Sequence, residues 1–174
     1  MVEERKYGFT WDLIGDIDLG RPHLGNTARL EVYRLMQYCF RDVLEARFGT
    51  ACADEIFRDV GRLAGAQFAE HALVRQESLG DSLSELQRAL REMGVGVLRM
   101  EHMDLASGAM TMTVSEDLDC SGLPDTGDTT CTYDEGFIAA LLEIVTGRSY
   151  AVREVDCWTT GDRTCRFAAT PVPE

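Results

Sequence analysis

Residues 131–167 read CTYDEGFIAALLEIVTGRSYAVREVDCWTTGDRTCRF, and the fold turns on how that stretch is divided. Its first part has helical character. Asp134 and Glu135 stand in the first turn, where the helix dipole favours acids, and Gly147 follows the last apolar residues as a stop. From Ser149 the pattern becomes β-rich, and SYAVREVDCWTTGDRTCRFAATPV reads as an antiparallel hairpin turning at Gly161-Asp162. Folding the hairpin about Gly161 sets Cys157 opposite Cys165. Opposed side chains of an antiparallel pair point the same way, with Cβ atoms about 4.5–5.5 Å apart. That spacing suits two thiolates on a tetrahedral ion with Zn–S bonds of about 2.3 Å. It suits a cross-strand disulfide equally.

Cys131 offers a third sulfur at the helix start, where unpaired N–H groups and the dipole favour thiolate over thiol. A fourth donor is open among Glu154, Cys120, Asp156, Asp162 and water. Strict strand alternation puts Glu154 and Cys157 on opposite faces, so Glu154 joins the cluster only through a bulge or bend.

Working outward, GAMTMTVSEDL (108–118) alternates, with Met110, Met112 and Val114 on one face and Thr111, Thr113 and Ser115 on the other. With VGVLRMEHMDL (95–105) it predicts a hairpin closed at Ala106-Ser107-Gly108. Upstream, three stretches have helical period. ARLEVYRLMQYCFRDVLEARFG (28–49) places Val32, Leu35, Met36, Cys39 and Val43 at helical spacing and ends on Gly49. ACADEIFRDVGRLAGAQFAEHAL (51–73) predicts an apolar face of Ile56, Val60, Leu63 and Ala64, and its Gly61 and Gly65, one turn apart, invite close approach by another helix. DSLSELQRALREMG (81–94) predicts a helix capped by Asp81 or Ser82. The expected class is α+β: N-terminal helices packed on a four-stranded antiparallel sheet, in the order ααα-ββ-α-ββ. Residues 1–27 read as an N-terminal arm and 28–174 as one ligand-binding domain.

Composition narrows the partners. At 174 residues, 45% hydrophobic and 27% charged, the chain can stand on burial without disulfide staples. The start MVEERKYGFTWD lacks a signal-peptide core, and no apolar run approaches the ~20 residues of a membrane helix. A cytoplasmic, reducing location is therefore expected, where clustered cysteines bind metal more often than they pair. A net charge of −13 supplies no basic footprint for nucleic acid and disfavours acidic membranes.

The cysteine pattern resembles the 4-vinyl reductase domain family. The resemblance rests on Cys131, Gly136, Phe137, Leu141 and Leu142, then Gly147, Val152, Glu154 and Cys157, then Gly161, Asp162, Cys165 and Phe167. It covers residues 95–169 most specifically. It implies a fold shared with trafficking-complex subunits and, distantly, with haem-based nitric-oxide sensors. It also implies an internal pocket for a small hydrophobic molecule. In phenol- and xylene-responsive transcription activators the domain is a dimeric sensor whose structural zinc is held by three Cys and one Glu. Carried over by spacing, the ligands are Cys131, Glu154, Cys157 and Cys165. Those sensors hold their ligand through a His and a Trp upstream of the zinc. Here the corresponding segments read GDSLSEL and GAMTMTV, with Met110 nearest the Trp, so phenol does not follow.

Met36, Phe40, Met110, Met112 and Phe137 are the candidates to line a pocket, thioethers being adaptable to irregular ligands. No nucleophile–base pair, phosphate loop or dinucleotide fingerprint is legible, which favours a non-enzymatic role. The leading expectation is a stand-alone sensor or carrier domain with structural zinc, forming a homodimer and reporting to a signalling or regulatory protein. The alternatives are a factor that reduces or handles a tetrapyrrole vinyl group and a structural adaptor resembling trafficking subunits. A cavity of at least ~300 Å³ separates ligand binder from adaptor.

Overall fold

A computed structural model describes residues 6–74 and 76–173. The elements are a 3₁₀ turn at Trp11–Ile14, then α1 (Ile17–Gly20), α2 (Leu30–Phe48), α3 (Thr50–Ala72), α4 (Leu79–Glu92), β1 (Val97–Met103), β2 (Met110–Ser115), α5 (Thr132–Thr146), β3 (Tyr150–Asp156), a second 3₁₀ turn (Trp158–Thr160) and β4 (Cys165–Pro171). The long elements follow the expected order, and the class is α+β. The first 3₁₀ turn and α1 fall within the stretch read as an arm. The backbone N–H of Trp11 donates to Gln67 Oε1 and its ring packs edge-on to His71, which ties that segment to α3.

The two hairpins interleave as β1-β2-β4-β3, all antiparallel, so β2 and β4 form the sheet centre. Alternation does what the sequence implies: Met110, Met112 and Val114 are buried on the core face, with Phe167 and Ala169 of β4 beside them. α5 lies against this face and is covered on its other side by α3. Its glycines explain how closely. A Cβ on Gly65 would stand 2.5 Å from the Phe137 carbonyl oxygen, and one on Gly61 or Gly136 closer still to the carbonyl oxygens of Tyr133 or Arg58. Only glycine lets the two backbones touch there. The expected close approach at Gly61 and Gly65 is thus made by α5.

Three expectations about the helices need correction. Val60 and Leu63 are exposed, because α3 turns Ala53, Phe57, Gly61, Gly65 and Phe68 inward; small residues and two phenylalanines mark the packed face. α4 starts earlier than Asp81, with the Ser78 side chain accepting from the Asp81 N–H. Finally, the apolar stripe of α2, comprising Val32, Leu35, Met36, Phe40 and Val43, faces solvent, at 46–70% exposure.

Candidate metal centre and adjoining cavity

Four loop and end positions converge beneath α5. Cys131 is the residue that precedes α5, Cys157 follows β3, Cys165 opens β4, and Cys120 lies in the β2–α5 connection. All four are buried, and their sulfurs lie within 4.8 Å of one another. Cys39 is exposed and Cys52 half-buried, both outside the cluster.

Each sulfur is placed by local chemistry. In the 116–121 turn the Asp117 carboxylate accepts from the N–H groups of Asp119 and Cys120, at 2.8 and 3.0 Å, and this turns Cys120 inward. α2 then clamps the turn from outside. Tyr33 and Gln37 donate to the two Asp119 carboxylate oxygens, each at 2.7 Å, Arg34 donates to the carbonyls of Leu118 and Ser121, and Tyr38 to that of Asp119. At Cys157 the 3₁₀ turn closes reciprocally, its N–H donating to Thr160 Oγ1 at 3.0 Å while the Thr159 hydroxyl donates to its sulfur, also at 3.0 Å.

Glu154 sits at the register shift between Glu154 and Asp156, where β3 bulges against β4. Its Oε2 accepts the Cys131 N–H at 2.9 Å, and its own N–H donates to Glu135 Oε1 at 3.0 Å. The other Glu135 oxygen accepts from Arg58 and Arg153. The α5 start is therefore laced to β3 and α3 by one carboxylate in each direction. Glu154 Oε1 is buried and has no hydrogen-bond partner among the described residues.

The donor chemistry fits a soft or borderline cation. Four sulfurs in a dry site cannot all ionise without one. The other thiols, Cys120 first, hydrogen-bond to Cys157 and hold its pKa well below the ordinary thiol range, and the Cys131 thiol is held well above it. Burial pushes Glu154 up to about 8. A divalent ion would take up that crowded charge. Tetrahedral Zn–S bonds of about 2.3 Å space the sulfurs about 3.8 Å apart. Cys131 stands 3.8 Å from Cys157 and 3.8 Å from Cys165, whereas Cys120 stands 3.0 Å from Cys165. Three sulfurs thus match the tetrahedral edge, and Cys120 crowds one of them.

Beside the cluster, between α4, β1, β2 and α5, lies a cavity of about 30 Å³ lined by Leu86, Leu90, Leu98, Met112, Phe137 and Leu141 among others. Its wall carries two acids, Asp117 and Asp134. Burial pushes Asp117 up to about 7 and raises Asp134 well above the carboxylate range. Of the five side chains expected at a pocket, the structure brings Met112 and Phe137 to this cavity. Met110 is buried outside its lining, while Met36 and Phe40 stand on the exposed face of α2. Sequence reasoning does not single out the two acids as cavity residues. Asp134 follows Cys131 by one helical turn, a spacing that does carry that signal.

Comparison with known proteins agrees with this frame. Residues 110–171 match the family model of the vinyl-4-reductase domain. Two uncharacterised proteins of Methanocaldococcus jannaschii are similar in sequence. One is 28% identical over 86 residues, 49% of this chain and 51% of its own length. The other is 26% identical over 145 residues, 83% of this chain and 76% of its own. The match thus spans about half the length of the first relative.

Among solved structures, the phenol-responsive sensory domain of the transcription activator PoxR, with phenol, aligns at TM-score 0.63 and 17% identity, over 83% of this chain and 75% of that one. A vinyl-4-reductase family protein of M. jannaschii aligns at 0.56 and 15%, over 86% and 85%. Subunit 3 of a trafficking protein particle complex from Naegleria fowleri, covalently bound to palmitic acid, aligns at 0.62 and 13%, over 83% and 95%. At these identities the likeness is one of fold. Residues 110–171 are a 4-vinyl reductase domain, of the family whose cysteine and glycine pattern the sequence carries, here preceded by the helices α2, α3 and α4.

Proposed function

We propose that the chain is a cytoplasmic, non-enzymatic sensor or carrier module for a small hydrophobic molecule, braced by a structural zinc. Cys131, Cys157, Cys165 and Glu154 hold the ion, which ties the start of α5 to the ends of β3 and β4. The observation that carries this ligand set is the pairing of two 3.8 Å sulfur separations with a buried Glu154 Oε1 that no described residue partners. Cys120 then remains a thiol hydrogen-bonded to the Cys165 thiolate. The ion's work is mechanical: it fixes one wall of the cavity while α4 forms the other.

At about 30 Å³ the cavity has room for a water or two, well short of the ~300 Å³ a ligand pocket needs. Ligand entry therefore requires α4 to move outward. α4 rests mainly on β1 and α5, begins at the Ser78 cap and is followed by Gly94, whose φ is +70°. Its displacement is the signal a partner protein would read. The exposed apolar stripe of α2 is the surface that a second copy of the chain covers, making the homodimer. The resemblance of fold to a phenol-sensing domain and to a palmitate-bound subunit supports a hydrophobic ligand.

The small cavity and the open α2 face favour a second reading, an adaptor that binds proteins and no small molecule. Metal analysis of protein purified without added metal, with mass spectrometry of co-purified small molecules, tests both. The sensor reading expects one zinc per chain, a hydrophobic compound released on denaturation, and a raised melting temperature on adding it back. Zinc alone, with no compound and no thermal response to any hydrophobic probe, leaves the adaptor. A tetrapyrrole absorbance band would instead favour the vinyl-reducing or pigment-handling role.

A further inference from the structure

Two acids in an apolar wall are costly unless something pairs with them. Asp117 is accounted for in part, since its Oδ1 accepts the N–H groups of Asp119 and Cys120. Asp134 is not. Its residue is only 8% exposed, it lines the cavity, and its Oδ2 is buried with no hydrogen-bond partner among the described residues. Among those residues no Lys, Arg or His lines the cavity with it; the remaining wall is Leu, Val, Ile, Met, Phe and Gly.

We propose that the ligand is an apolar molecule bearing one hydrogen-bond-donating group, a hydroxyl or a protonated amine, and that Asp134 accepts that hydrogen bond. The inference rests on the ligand-binding reading above and names the chemical class that the pocket selects. Selection works by exclusion as much as attraction. A carboxylate or other anion entering the cavity would meet Asp117 and Asp134 with no lining cation to offset them, in a setting where like charges repel strongly. A plain hydrocarbon would fill the space but leave Oδ2 unpartnered, forfeiting the discrimination a buried hydrogen bond gives. Only a donor on an apolar body satisfies both the Leu/Met/Phe wall and the acid.

The test is a set of probes of nearly equal size: toluene, p-cresol, 4-methylbenzylamine and p-toluate, titrated calorimetrically into the full, metal-loaded chain. The proposal expects p-cresol or the amine to bind at least about tenfold tighter than toluene, and p-toluate not to bind. Which of the two donors wins tells whether the recognised group is neutral or cationic. Asp134→Leu should bring p-cresol and toluene to equal affinity, and Asp134→Asn, whose amide oxygen still accepts, should restore the preference. Should Asp134→Leu not fold, the wild-type series decides alone. Toluene or p-toluate binding as tightly as the donors overturns the donor class while leaving the ligand-binding reading standing. Failure of all four probes to bind removes that reading, and this proposal with it.

Discussion

Helices α2 and α5 both carry strong apolar stripes, yet the fold treats them oppositely. α5 is buried from Thr132 to Leu142 apart from half-buried Tyr133, wedged between α3 and the sheet. α2 turns its polar side inward, where Tyr33, Arg34, Gln37, Tyr38 and Arg41 make the hydrogen bonds that clamp the 117–121 turn and reach Thr132. Its apolar side looks outward. Periodicity in a sequence states that a helix has two faces; which face turns to the core depends on what the core offers. Here the core beside α2 is a polar turn held around the cysteine cluster, so hydrogen-bond donors face in, and the apolar stripe is left for a partner. One helix is built for the interior of one chain, the other for the meeting of two.

The sharpest way to break this contrast is at the α5 start. Cys131→Ser removes a ligand in the interior and is expected to abolish metal retention and cost upwards of about 4 kcal/mol, read as a fall in denaturation midpoint. Cys39→Ser, on the exposed face of α2, is the matching control and should change neither. Next in size is Gly136→Val, which pushes a side chain into the Arg58 backbone and should cost about 3 kcal/mol by overpacking. Thermal unfolding checks it, and an unchanged midpoint would mean that α3 and α5 are not in contact at Gly61, Gly65 and Gly136.

The pH dependence of the metal-free chain follows, because the turn that α2 clamps holds a buried acid. Folding lifts Asp117 from 3.8 to about 7, chiefly by burial. The folded chain thus keeps a proton that the unfolded chain releases. The contribution to stability is complete below the unfolded value and lost as pH rises through about 7. The chelator-treated protein should melt at a lower temperature at pH of about 8 than at about 5. The smallest effect on the fold is expected at α2. Leu35→Lys with Met36→Lys should leave the chain's own stability within about 0.5 kcal/mol. Sedimentation should show the pair converting dimer to monomer. A wild type that is already monomeric would remove the role given to the stripe.

Much of this is legible in the residues. The hairpins announce themselves by alternation at Met110-Met112-Val114, the helix ends by Gly49 and Gly147, and the α3–α5 crossing by Gly61 and Gly65, since each signal is local. The bulge that Glu154 needs in order to approach the cysteines is present between Glu154 and Asp156. What escapes the sequence is set by long-range contacts. The inward position of Cys120 depends on the Asp117 side chain three residues earlier and on donors from α2 more than eighty residues away. The outward turn of Met36 and Phe40 has the same cause. In the sequence Asp134 reads as a helix-dipole partner, which its place in the first turn supports, and its cavity-facing role emerges only once β2 and α4 close around it.

X-ray absorption at the zinc edge on protein as purified tests the central claim most directly. The account predicts one zinc per chain, with three sulfur neighbours at about 2.3 Å and one oxygen at about 2.0 Å, and loss of the oxygen shell in Glu154→Ala. A chain holding no metal, with Cys120 and Cys165 or Cys131 and Cys157 joined as disulfides under reducing conditions, would contradict it.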